Sequence, residues 1–327
     1  MISRRAVLAA CGAGLLVGCA PSPVVRGGTG QPSPSVGTLD DARREAAQME
    51  SALAALTGAC AAQAAAWTAP AGFREWCSAA SGAHSAHVTV LLQADPLGGV
   101  TTNRTPVEAM ASASPAAGSL GEALQAVASQ YQATAASHRK TALTQTDPAM
   151  AMMWVSLDCF AGFGAHLFAA HPDGASLGTP VAQGSAVPAR IAVGSRTEAL
   201  QVLLSRIDEL SFGLTSMIGR SGNNEPQMSA RFTEVQGLRN AVSVQITAAS
   251  ASPTAPAVDY TLPGNVNDPN DWSRLWGQLE AGVLAGWAPV AASSAGADRS
   301  SAMDSMVAQS PQPVTRGVPL SWWPGWL

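Results

Sequence analysis

Residues 49–91 read MESALAALTGACAAQAAAWTAPAGFREWCSAASGAHSAHVTVL, and the spacing of their apolar positions decides the fold. Met49, Leu53, Leu56, Cys60, Ala64 and Trp67 recur at steps of three and four, and after TAPAG so do Phe73, Cys77, Ala80, His84, His87 and Leu91. Such a stripe is the core-facing side of a helix, and two stripes across a short Pro/Gly break predict an antiparallel hairpin turning near Pro70. Thr38 with Asp41 reads as a capping box that starts the first helix. Folding across the turn sets residue 60 opposite about residue 80, within a helical turn of Cys77. A disulfide between Cys60 and Cys77 is one outcome of that geometry, and two reduced core thiols are the other.

The same hairpin gathers residues able to bind a metal. His84 and His87 lie one turn apart on the apolar stripe, and Glu50 folds across to the level of His87. Downstream, the link ADPLGGVTTNRTPVEAMASASPAAGS precedes a third stripe, Leu120, Leu124, Val127, Tyr131 and His138, and QTDPAM turns into a fourth, Met150, Trp154, Leu157, Ala161 and Phe168. Asp147 caps that fourth helix, with Pro148 at its first position. A long crossover makes the second and third helices parallel, which brings His138 to within about 4 to 5 Å of the level of His87. Glu50, His84, His87 and His138 are thus candidate ligands for zinc or a similar ion, or a proton-sensitive polar core, or hydrogen-bonded core residues. The diiron pattern of Glu-x-x-His on two helices is missing, since no Glu is followed three residues later by His.

Beyond the joint HPDGASLGTPVAQGSAVPARIAVGS the plan repeats without the sequence repeating. Leu200, Leu203, Ile207, Leu210, Leu214 and Met217 form one stripe, and Phe232, Val235, Leu238, Val242 and Ile246 the next. After a second long link come Trp272, Leu275, Trp276, Leu279, Val283, Trp287 and Val290, then a last helix over about 297–308. Hairpin, crossover, hairpin is the order of a ferritin-like bundle. The expected fold is all-α, two ferritin-like four-helix bundles in tandem, over 38–172 and 196–310, with an interdomain loop at 173–195 and a Trp-rich tail at 311–327.

The leader, MISRRAVLAACGAGLLVGCAPSP, combines Arg4 and Arg5 with an uncharged run from Ala6 to Val17, too short to span a bilayer. Leu16-Val17-Gly18-Cys19 resembles the bacterial lipobox, which implies cleavage after residue 18 and diacylglycerol on Cys19. Two acyl chains anchor stably, so the expected location is the extracytoplasmic face of the cell membrane. Arg4-Arg5 leaves both general and twin-arginine export open. Residues 19–37 are a Pro/Gly/Ser tether reaching roughly 25 Å. The chain has 18 basic and 22 acidic residues with Lys140 as its one lysine, and loss of the leader makes it more acidic still. That balance argues against a nucleic-acid partner or anionic lipid headgroups, and the expected partners are the membrane, through the Cys19 anchor, and an envelope protein or small ligand.

The segment from Arg196 to Met306, with EALQVLLSRIDELSFG, YTLPGNVNDP and LWGQLEAGVLAGW, resembles the ferritin-like domain of unknown function found in actinobacterial lipoproteins. The earlier half, with SGAHSAHVTVL, ASHRKTAL and WVSLDCFAGFGAHL, is similar to the helical region that accompanies it. The resemblance implies the fold and no activity. No histidine follows His171, which separates the second half from metal-binding ferritin relatives.

GASLG, residues 174–178, matches Gly-x-Ser-x-Gly, but a nucleophile elbow needs a strand before Ser176 and here a helix precedes it. Asn103-Arg104-Thr105 is a sequon by pattern only. Trp322, Trp323 and Trp326 in the tail suit a membrane interface, a partner strip or a fold back onto the bundle. The leading functional expectation is a non-catalytic, lipid-anchored binding or scaffolding module with no cofactor. Its rival is a metal-binding or redox protein using the histidine cluster.

Overall fold

The computed structural model describes residues 40–99, 118–175, 177–178, 181–182, 187–221 and 225–326. The leader, Cys19, Thr38, the Asn103 sequon and Ser176 lie outside the described residues. The described chain is all-α: α1 (Asp41–Gln63), α2 (Phe73–Leu91), α3 (Leu120–Thr144), α4 (Pro148–Ala170), α5 (Arg196–Ile218), α6 (Pro226–Ala248), α7 (Trp272–Ser293), α8 (Gly296–Gln309) and a single turn, α9 (Pro311–Val314). No strand occurs among the described residues, and Gly98 and Ala189 form an isolated antiparallel bridge.

Local chemistry fixes the helix starts. The Asp40 side chain caps α1 by accepting from the Arg43 amide at 2.7 Å, in place of the box expected at Thr38. Asp147 caps α4 with Pro148 behind it, and Ser195 and Glu198 form a reciprocal capping box on α5.

Both halves share one packing order. In the first, α1 packs on α2 and α3, and α3 on α4; in the second, α5 packs on α6 and α7, and α7 on α8. The halves are not separated by a free joint. α4 packs on α7 and α8 as well as on α3, and the hydrophobic core runs without a break from Ala46 to Trp323. α4 is long and apolar enough to cross a membrane, yet 83% of its apolar window is buried inside the protein, as befits a helix shared by two cores.

Arg299 on α8 clamps this junction. Its guanidinium donates to the carbonyls of Ala142 (2.6 Å) and Gln145 (2.7 Å) at the end of α3, and to Ala291 (3.1 Å) and Ala292 (3.3 Å) at the end of α7. One buried cation thus caps two helix C-termini from different halves. Arg299→Met is expected to lower the unfolding free energy by about 2–4 kcal/mol in urea titration, because it strands buried carbonyls. Arg299→Lys is expected to recover only part, since an ammonium cannot fork to four acceptors. An unchanged midpoint would count against the clamp.

The Trp-rich tail folds back onto the protein. Ala182 donates to the Leu320 carbonyl at 2.9 Å, the Trp322 indole donates to the Ala182 carbonyl at 2.6 Å, and Trp323 is 1% exposed.

Candidate metal centre

Each helix of the first half except α4 brings a polar side chain to one fully buried point. Glu50 comes from α1, His84 and His87 from successive turns of α2, and His138 from α3, all 0% exposed. The Glu50 Oε2 atom lies 2.6 Å from His84 Nδ1 and 2.8 Å from His87 Nδ1, and Oε1 lies 2.7 Å from His138 Nε2. α4 contributes Phe160, whose ring sits 5.3 Å from His84 and 4.9 Å from His87. All four residues expected from the sequence therefore meet. They do so with unequal roles, because Glu50, His84 and His87 offer donor atoms within 4.8 Å of one another while His138 holds the other carboxylate oxygen.

The outward ring nitrogens decide the charge of the cluster. His87 Nε2 lies 2.7 Å from the Trp322 carbonyl, and a carbonyl only accepts, so this nitrogen carries the hydrogen. In a neutral ring Nδ1 is then a bare lone pair facing a carboxylate oxygen. Two lone pairs 2.8 Å apart need a cation between them, a proton or a metal ion. His84 Nε2 meets the Tyr131 hydroxyl at 2.7 Å, which can donate or accept. His138 Nδ1 is buried without a hydrogen-bond partner.

Burial pushes the Glu50 carboxyl up, but His87, His84 and the hydrogen bonds from His138 and His84 outweigh it and hold the group well below the usual carboxylate range. Burial also lowers the His84 imidazole, which the Glu50 charge opposes only in part. Burial and mutual contact thus favour the ionised form of Glu50 and disfavour the charged form of His84. In the second half the buried carboxylate of Glu280 is matched by Arg231, whose Nε and Nη2 donate to its two oxygens at 2.9 and 2.8 Å. Among the described residues no guanidinium or ammonium is bonded to Glu50.

The donor set suits a divalent transition ion. Zinc binds imidazole and carboxylate at about 2.0–2.2 Å, which puts tetrahedral donors roughly 3.3 Å apart. The cluster needs to open by about half an ångström to reach that spacing. The outer partners are those that metal-binding histidines use, a carbonyl for His87 and a hydroxyl for His84. Trp323 packs on His87 at 4.7 Å, and Tyr131 reaches His84 because Gly164 on α4 leaves no Cβ in the space its ring occupies.

Sequence reasoning missed the Trp322 carbonyl and the pairing of Tyr131 with His84. A backbone carbonyl carries no residue-type signal, and Tyr131 was legible only as a core position. Of the two outcomes the spacing left open for Cys60 and Cys77, the structure shows two separate, buried thiols.

The fold and the cluster together define a helical protein with a shielded carboxylate–imidazole centre. Residues 212–316 match a protein-family model described as a domain of unknown function (DUF4439), which covers most of the second half and none of the cluster residues. No curated protein and no solved structure matches the chain.

Proposed function

We propose that this is a lipid-anchored protein of the extracytoplasmic face of the cell membrane, ferritin-like in each half, whose first four helices hold one divalent transition metal ion without turning over a substrate. Glu50 Oε2, His84 Nδ1 and His87 Nδ1 bind the ion, and His138 orients the carboxylate through Oε1. The observation that carries this reading is the His87 Nε2 contact with the Trp322 carbonyl, which leaves Nδ1 bare toward Glu50. When bound, the ion supplies the positive charge that the buried carboxylate lacks. A holding role fits four side chains with no solvent exposure, since a catalytic metal keeps a position open to substrate.

Elemental analysis of the full chain purified from bacterial membranes is expected to find about one zinc, or an ion of similar preference, per chain. His84→Ala and His87→Ala are expected to abolish it, while His138→Gln weakens binding about 10- to 100-fold, as loss of an outer partner does. Metal-free protein whose stability ignores these substitutions returns the reading to a scaffold with a hydrogen-bonded polar core.

The anchor is tested separately. Cys19→Ser is expected to move the protein from the membrane fraction to the soluble extracytoplasmic fraction, because one side chain carries both lipid chains. Retention of the variant in the membrane would sink the lipoprotein reading.

A further inference from the structure

Cys60 and Cys77 stand in a fixed relation to the metal centre. Ten residues back along α1 from Cys60 is Glu50, and ten residues forward along α2 from Cys77 is His87. In an antiparallel pair the two steps cancel, so the register that sets sulfur against sulfur also sets Glu50 against His87. A slip of either helix separates both pairs at once. The helices are drawn close between these points: Gly58 leaves room for the Ser81 hydroxyl, which donates to the Ala54 carbonyl at 2.8 Å. The register fixed by the Glu50–His87 contact sets the two buried thiols at one level of the α1–α2 pair, while the third thiol, Cys159 on α4, donates elsewhere, to the Met306 carbonyl at 3.8 Å.

We infer that Cys60 and Cys77 are a redox staple, oxidised to a disulfide outside the cytoplasm, that locks the α1–α2 register in which Glu50 meets His84 and His87. The oxidant is another disulfide. The Cys60 thiolate attacks it and releases one thiolate; Cys77 then loses its proton and attacks the Cys60 sulfur of the mixed disulfide, releasing the second. Two electrons pass to the donor, which departs as two thiols. Both sulfurs are fully buried in the folded chain, so the exchange takes place on a chain that has crossed the membrane unfolded, while the hairpin is still open to solvent. The consequence for metal retention rests on the metal-holding reading; the lock itself does not.

The test uses the full lipidated chain from bacterial membranes. Alkylation of free thiols under denaturing conditions followed by peptide mass spectrometry is expected to find Cys60 linked to Cys77 and Cys159 alkylated. Chelator-treated protein is then compared by hydrogen exchange with and without reduction. Reduction is expected to speed exchange about tenfold in the peptides bearing Glu50 and His84 to His87 and to leave α6 unchanged. A Cys60→Ser/Cys77→Ser double variant is expected to match the reduced protein under both conditions. Free Cys60 and Cys77, a bridge to Cys159, or unchanged exchange near Glu50 after reduction each overturns the inference. With zinc loaded, release to a chromophoric chelator is expected to be about tenfold faster after reduction. A chain that binds no zinc but shows the exchange difference refutes the metal reading and keeps the staple; equal release rates in a zinc-binding chain refute the coupling.

Discussion

Chelation is expected to lower the thermal midpoint of the full chain by about 10 °C, and Glu50→Gln is expected to abolish that drop. An ion present at about a thousand times its dissociation constant adds roughly 4 kcal/mol to the folded state. For a chain of this size each kcal/mol moves the midpoint by about 2–4 °C. The effect is large because the ion's partner is a carboxylate at 0% exposure, reached by His84, His87 and His138 at 2.6 to 2.8 Å. Glutamine keeps the size of Glu50 and removes the charge, so the variant gains nothing from the ion and loses nothing with it. Differential scanning calorimetry with and without chelator reads both proteins. A wild-type midpoint indifferent to chelator would sink the metal-holding reading.

The second large effect is expected in the other half. Arg231→Met is expected to cost about 3–5 kcal/mol, because it leaves Glu280 buried with its guanidinium gone. The Trp276 indole at 2.8 Å and the Gln309 amide at 2.7 Å still donate to that carboxylate, but neither carries charge. Removing both partners, as Arg231→Met with Glu280→Met, is expected to recover at least half of the loss, since two apolar chains of similar volume need no neutralisation. A double-mutant cycle by urea unfolding measures the coupling. Additive losses would show that the pair acts through packing. The two buried carboxylates are thus matched differently: Glu280 has an arginine, whereas Glu50 has three imidazoles and, on the metal-holding reading, an ion.

Much of this was legible from spacing. The stripes from Met49 to Leu91 place α1 and α2 and their turn, and the mirrored offsets of Glu50 and His87 about that turn bring those side chains together. His138 needed the longer argument from the crossover, and it does reach the cluster. What periodicity could not carry was anything set by a backbone atom or by contact between halves. The Trp322 carbonyl at His87 lies 235 residues away in the chain. The Arg299 clamp joins the ends of α3 and α7 through carbonyls that every residue has. The continuity of the two cores through α4 was hidden for a related reason: a helix apolar on every side reads like any buried segment and does not reveal what covers each face. The cap on α1 falls on Asp40, whose carboxylate accepts from the Arg43 amide, a pairing that the Thr38–Asp41 spacing did not point to.

The bond from His87 to the Trp322 carbonyl also orders events in time. A ribosome has made Glu50, His84, His87 and His138 long before it reaches Trp322, so for most of synthesis His87 has no fixed tautomer and the centre stays unfinished. On the metal-holding reading, the ion joins a chain whose tail has already been made, not one that has yet to reach Trp322. On that reading a chain threaded across the membrane unfolded would take its ion from the outer compartment, and one exported folded would carry an ion chosen in the cytoplasm. The metal recovered from the native host would then report the export route that Arg4 and Arg5 leave open.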